Sequence, residues 1–410
     1  MKAKIFYFTL RDQQTKEEKL DWFDRTRFEQ IPFDHIAPDQ KANWINLTDN
    51  DSDSFLPLID KEVKAGKSQE AVFQLFSSGV KTQRDEWVYD FSKEALSERM
   101  KYFVEVYQER LEKGVRRELD IKWDRELEKY LERRISKKFE QSIVVQSSYR
   151  PFIKLYFYFD KHFNGMTYQL PSIFPDIYKN NLIICCTDAG SQKPFMTIAS
   201  NAVSDLHAVG AASSAQCLPL YRYDQNGNRI DNITDWGLTQ FQTHYKKNNI
   251  TKENIFHYTY AVLHHPAYRS KYEINLKREF PRLPFYADFH QWVTWGKALM
   301  DLHLNYETIE PYGLRRVDVP SSPNPFSRRR RGAETPEIPG LEPPLPMGEG
   351  AGGEGKPPKA KLKADKTQGK IILDTETTLE GVPAIAWDYK LGNRSALEWI
   401  LDQYKERVST

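Results

Sequence analysis

The sequence predicts a mixed α/β protein, a helical connector followed by a mixed α/β domain that carries an insert unable to pack. Three observations predict it. Apolar residues recur at helical spacing over 92–111 and again through 234–305. Between them, residues 143–223 break into short apolar runs of strand length separated by Pro, Gly and Asn. Residues 318–361 are rich in Pro, Gly and Arg and hold too little apolar surface to offset the entropy of ordering, so disorder is expected there.

Taken in order, residues 4–10 (Lys-Ile-Phe-Tyr-Phe-Thr-Leu) read as a strand, too short for the apolar stretch and cleavage site of a signal peptide. Trp22, Phe23, Phe28, Ile31 and Phe33 are apolar anchors in the charged stretch that follows, and Asp49 to Asp53 reads as an exposed acidic loop. Over 92–111, Leu96, Met100, Phe103, Tyr107 and Leu111 share one helical face, with Ser92 placed to cap it. Residues 118–138 continue the helical pattern through Trp123, Leu127, Tyr130, Leu131 and Ile135. Their Arg and Lys are interspersed with Glu, which reads as a solvated helix face.

The predicted strands are Ile143 to Val145, Leu155 to Phe159, Leu182 to Ile184 and Phe195 to Ile198. Thr234 and Thr251 are placed as N-caps of helices, and Pro266 marks the end of the second. Phe289, Trp292, Val293, Gly296, Leu299, Met300 and His303 trace one face of a third. Beyond the insert, Lys370 to Leu373 reads as a strand and Ser395 to Tyr404 as a helix, opened by the capping box Ser395-x-x-Glu398.

A net charge of +2 excludes a surface that binds phosphate all over, so any nucleic-acid site must be a local basic face. The three cysteines, Cys185, Cys186 and Cys217, form no CxxC pair, which disfavours a structural zinc site and suggests a reducing, cytoplasmic setting. No stretch has the length of a membrane span.

Several motifs tempt without convincing. Gly348-x-Gly350-x-x-Gly353 has the letters of a dinucleotide loop but lies between prolines, not between a strand and a helix. Asn324-Pro-Phe326 lacks the second Pro of an amino-methyltransferase loop. Asp120-x-Lys122 with Glu118 is a poor nuclease cluster, because no second acidic strand precedes it. His264-His265 precedes Pro266, and a helix C-terminus favours His without any metal.

Two segments offer donors suited to DNA. In Gly79-Val-Lys-Thr-Gln-Arg-Asp-Glu-Trp87, Lys81, Thr82, Gln83 and Arg84 leave one polar turn. The alternative is a solvent loop in which Arg84 pairs with Asp85 or with a neighbouring helix. Ser148-Tyr-Arg-Pro-Phe152 sets Arg150 in an extended turn, and Lys154, Lys161 and His162 flank the aromatic run that follows. Arg269, Lys271, Lys277, Arg278 and Arg282 form a further basic cluster, equally readable as a solvated face.

Together these segments resemble one family. Gly79 to Tyr89, Tyr149-Arg-Pro-Phe152 with Tyr158-Phe-Asp160, Asp205-Leu-His207 with Gln216-Cys-Leu-Pro-Leu-Tyr221, Ile255-Phe-His-Tyr258 with Leu263-His-His-Pro-Ala-Tyr-Arg269, Pro281-Arg-Leu-Pro284, Leu299-Met-Asp-Leu-His303 and Tyr389-Lys-Leu-Gly-Asn-Arg-Ser-Ala-Leu-Glu-Trp399 resemble the C-terminal, target-recognition region of single-chain type ISP restriction–modification enzymes. Such enzymes join a nuclease, a helicase-like ATPase motor, a coupling region, an adenine-N6 methyltransferase and a target-recognition domain. The resemblance implies sequence-specific recognition of double-stranded DNA, no catalytic site in this chain, and S-adenosylmethionine, ATP and Mg in the full assembly.

The chain departs from the family in lacking the nuclease, motor and methyl-donor motifs and in carrying the insert. On this reading residues 1–25 hold the terminal strand of a methyltransferase-like sheet, 26–145 a mainly helical connector, and 146–317 with 362–410 the recognition domain, interrupted by 318–361. If the gene is split, the partner is the polypeptide that holds methyltransferase, motor and nuclease. The expected DNA contacts are Lys81, Thr82, Arg84, Arg150 and Lys161. A methyltransferase or endonuclease fragment with unrecognised motifs, and an inactive relic or scaffold, stay open as alternatives.

Overall fold

The run Leu182-Ile-Ile-Cys-Cys-Thr187 is apolar at consecutive positions, and a strand of that kind needs cover on both faces. The computed structural model describes residues 4–11, 13–38, 50–114, 120–210, 213–318 and 360–405. In it the run forms the strand Ile183–Thr187, buried at every position. This strand pairs antiparallel with Ala215–Pro219 on one side and Thr197–Ser200 on the other, and Ser77–Ser78 completes the sheet. The pleat divides the side chains between two cores. Ile183, Cys185, Ala215 and Cys217 face one, whereas Ile184, Cys186, Ala199 and Leu218 face the other.

The first core is closed by a second four-stranded sheet. Its order is Val203–Ser204, Val144–Arg150, Ile153–Tyr158, Tyr89–Asp90, with the first pair parallel and the others antiparallel. Helix Lys93–Lys113 buries Leu96, Met100, Phe103 and Tyr107 in the same core. Burying each such side chain is worth about 1.5–3 kcal/mol. Ser92 caps this helix by accepting from the Ala95 N–H at 3.1 Å, and Gly114 ends it in the left-handed conformation.

The helical pattern of 118–138 is realised only as Arg125–Glu132. Asp124 accepts from the Leu127 N–H at 2.9 Å and so fixes the start, while Arg134, at φ 54°, lies just past the end. Trp123 stays outside the helix. Its indole N–H donates to Asp120 at 2.5 Å, and the Arg110 guanidinium lies 4.1 Å from its ring centre.

The second core packs helices Asp235–Tyr245, Lys252–His264 and Phe289–Leu304. Thr234 and Thr251 cap the first two, as their positions predict. The last two cross closely. A Cβ on Gly296 would meet the His257 carbonyl oxygen at 1.9 Å, so no side chain fits there. Pro266 does more than end a helix, since it opens the next, Pro266–Lys271, at the position where its missing N–H costs nothing. Glu273–Arg278 follows, so most of the predicted basic cluster lies on two short helices.

The N-terminal strand is shorter than the apolar run, Ile5–Tyr7, and pairs antiparallel with Asp34–Ile36. Helix Lys16–Arg25 lies between them, opened by a reciprocal capping box of Thr15 and Glu18. Phe6, Leu20, Phe23 and Phe28 are exposed.

All these elements belong to one compact unit, residues 1–310 with 390–400, whereas residues 311–389 with 401–410 form a second. The second unit holds a four-stranded antiparallel sheet in the order Arg315–Asp318, Thr377–Glu380, Lys370–Asp374, Ala360–Asp365. The sequence pattern predicts only the third of these strands. Of the insert expected over 318–361, Asp318, Ala360 and Lys361 are strand residues; the remainder lies outside the described residues, as do the Asn324 and Gly348 motifs. The capping box at the final helix, Ala396–Gln403, forms reciprocally. Ser395 N–H donates to the Glu398 carboxylate at 2.7 Å, and Glu398 N–H to the Ser395 hydroxyl at 3.2 Å. Among the described residues no helix is long and apolar enough to cross a membrane.

Candidate nucleic-acid interface

The turn after Gly79 alternates. Lys81 and Gln83 are exposed, whereas Thr82 and Arg84 are buried. The Thr82 hydroxyl donates to the Asp85 carboxylate, which also accepts from the Tyr149 hydroxyl at 2.9 Å. Arg84 is only 1% exposed, donating to the Asp124 carboxylate and to the Phe163 carbonyl at 2.9 Å. An arginine placed so deeply must be paired, because an unpartnered guanidinium would cost several kcal/mol, on the order of 3 or more. The Arg84–Asp85 pairing that the sequence permits does not form; the partner is the carboxylate that caps the helix Arg125–Glu132.

Arg150 lies at the end of its strand and pairs with Asp205 at 2.6 Å, its guanidinium 3.9 Å from the centre of the Tyr149 ring. Asp205 also accepts from the His207 N–H at 2.8 Å and the Tyr89 hydroxyl at 3.3 Å. Burial pushes the Asp205 carboxyl up, against the pull of Arg150. Burial and the neighbouring Asp205 also push the Tyr89 phenol well up. Thr82, Arg84 and Arg150 thus each engage a carboxylate, that of Asp85, Asp124 and Asp205 respectively; Thr82 and Arg84 are buried, whereas Arg150 is partly exposed.

Lys81 and Lys161 differ. Both are exposed, and neither makes an ion pair among the described residues. The Lys81 backbone is fixed by a two-way bridge to Met166, with N–H to O distances of 2.9 and 2.8 Å. Lys161 lines a groove of about 690 Å³ together with Lys93, Lys179, Glu140, Asp160 and Asp176. Asp160 is itself held by Lys137 at 3.0 Å.

The other basic residues that the sequence offers are engaged internally. Lys154 pairs with Glu307 at 3.1 Å, Lys271 with Asp51 at 2.8 Å and Arg282 with Glu279 at 3.6 Å. Arg269 donates to the Phe195 carbonyl at 2.8 Å. His162 is half-buried, and burial lowers its pKa.

Sequence reasoning did not single out Tyr89, Asp124 or Asp205 as partners. Asp205 sits in one of the family-like segments, which was the available signal, but nothing local marks Asp124 as the partner of Arg84.

Among the described residues no group of His, Cys, Asp and Glu could hold a metal ion. His264, half-buried, ends its helix, and loss of solvation there pushes its pKa well down. Asp120 serves Trp123, and Lys122 pairs with Glu86 at 3.1 Å; Glu118 lies outside the described residues. No two described glycines are close enough in sequence to form the paired-glycine turn that holds a dinucleotide or methyl donor.

The family described as the Type ISP C-terminal specificity domain matches residues 71–410. The chain belongs to that family. Three solved structures share its fold. The cryo-EM structure of a DrdV–DNA complex is 41% identical with a TM-score of 0.77, covering 99% of this chain and 39% of that one. A nuclease-deletion mutant of the Type ISP restriction–modification enzyme LlaGI, in complex with a DNA substrate mimic, is 27% identical with a TM-score of 0.68, covering 96% and 29%. The ATP-dependent Type ISP enzyme LlaBIII bound to DNA is 25% identical with a TM-score of 0.71, covering 92% and 23%. This specificity-domain chain thus spans well under half the length of each of these structures. Among curated proteins none matches.

Proposed function

We propose that this chain is the DNA-reading part of a Type ISP restriction–modification assembly, recognising a specific duplex sequence and positioning an adenine-N6 methyltransferase and a motor nuclease on it. The observation that carries this reading is the near-complete coverage of the chain by three relatives solved on DNA. Its residues support the same division of labour. The exposed, unpaired Lys81 and Lys161 contact phosphates and set register. Thr82, Arg84 and Arg150 act as positioning residues that hold the turn and hairpin rigid, so little ordering entropy is lost on binding. S-adenosylmethionine, ATP and Mg are bound by other parts of the assembly. On this reading Ile5–Tyr7 and its exposed aromatic neighbours adjoin the methyltransferase part.

The test is selection from a random-sequence duplex library by the purified full chain. A single enriched motif is expected. Recovery of an unenriched pool, or no binding at low salt by folded protein, contradicts the proposal. Methyl transfer to DNA by this chain alone would also contradict it.

A further inference from the structure

We propose that Gln83 is a specificity-determining residue, reading a base edge from the tip of a rigid ridge made by residues 81–83 and 165–168. The inference rests on the DNA-reading role above and names the side chain that carries it.

Gln83 sits in the left-handed region, at φ 65°. That conformation costs a non-glycine residue about 1–3 kcal/mol and persists only where the surroundings over-determine it. They do so here. Its chain neighbours Thr82 and Arg84 are buried and anchored to Asp85, Asp124 and Phe163. Across the ridge, Gly165 N–H donates to the Thr82 carbonyl at 3.2 Å, beside the two-way bridge of Lys81 and Met166.

Gly165 makes the room. A Cβ there would stand 2.9 Å from Gln83 Cδ and 3.0 Å from the Lys81 carbonyl oxygen. The Gln83 side chain therefore lies across a position kept bare. Its amide is exposed and makes no hydrogen bond among the described residues. The same ridge exposes Met166 and Tyr168, and Tyr168 is also left-handed, at φ 47°.

A turn that served only to join two elements would be relaxed by glycine at position 83. Instead the strained backbone holds out an unpartnered amide, whose paired donor and acceptor match the N6 and N7 edge of adenine in the major groove. Flanked by Lys81, it is positioned for a groove as that lysine meets the phosphates.

The experiment compares the motif selected from random duplexes by the full wild-type chain with those selected by Gln83→Gly and Lys81→Ala. Glycine suits φ 65°, so Gln83→Gly is expected to fold with an unchanged or higher melting temperature. It should retain every motif position but one, where discrimination falls by roughly 5- to 150-fold, the equivalent of about 1–3 kcal/mol. Lys81→Ala should weaken all sequences alike. An identical motif from Gln83→Gly, with discrimination intact at each position, overturns the inference and leaves the DNA-reading role standing. A uniform loss across positions overturns it too, by making Gln83 a scaffold or phosphate contact. Absence of any motif from the wild-type chain overturns the DNA-reading role and this inference together.

Discussion

The two oxygens of Asp124 are divided between Arg84 and the start of a helix. One accepts from the buried guanidinium, and the other from the Leu127 N–H at 2.9 Å. A single carboxylate thus ties the turn at 81–84 to the helix Arg125–Glu132. Arg84→Ala removes the guanidinium and leaves the Phe163 carbonyl and Asp124 without their partner. We expect a loss of about 3–5 kcal/mol, read as a lower urea midpoint with an unchanged slope. A loss under about 1 kcal/mol would show that the pair is not a framework contact.

Gly296 sets the approach of two helices in the second core. Gly296→Ala places a methyl group inside van der Waals range of the His257 carbonyl, and helix Phe289–Leu304 must move away from Lys252–His264. The expected cost is about 2 kcal/mol. Differential scanning calorimetry should show a lower melting temperature, and an unchanged one would mean that the helices cross less closely than described.

The helices and their caps were legible because their signals are local. A 3.6-residue period and a capping side chain three positions before its partner N–H are both written in neighbouring residues, as at Ser92, Thr234, Thr251 and Ser395. Ile183–Thr187 was legible as a strand for a similar reason, since its run of apolar residues matches a sheet covered on both faces. Ala360–Asp365 was not, because Lys361 and Lys363 alternate with Ala360, Leu362 and Ala364 along an edge strand and no apolar run announces it. The candidate contacts were legible as donors but not as directions. Whether Arg84 meets Asp85, Asp124 or solvent depends on how distant segments pack, and no spacing encodes that. The same holds for Arg150 and Asp205, and for the bare position that Gly165 provides.

Acid should weaken the fold through its buried histidines. Burial holds the His303 imidazole down at about 4, and its ring accepts or donates to the Tyr260 hydroxyl in the second core. Its unfolded value is about 6.5, so the unfolded chain takes up the proton first as pH falls. The stability it contributes is present above pH about 6.5 and is lost as pH drops toward 4, on the order of 3 kcal/mol over that window. His264, pushed down by burial and by His303, acts in the same direction. Urea midpoints measured at pH 7.5 and 5 should fall for the wild type. The fall should be smaller for His303→Gln, and an equal fall would remove His303 from the account.

On the proposed function, Lys81 and Lys161 are left for phosphates while Thr82, Arg84 and Arg150 hold the turn and hairpin. The most direct test is the salt dependence of duplex binding by the full chain and by a Lys81→Ala, Lys161→Ala double variant. Each phosphate contact contributes about 0.9 to the slope of log affinity against log salt. The double variant should keep its stability within about 0.5 kcal/mol, bind all duplexes more weakly, and show a slope shallower by about two. A slope identical to that of the wild-type chain would contradict the account.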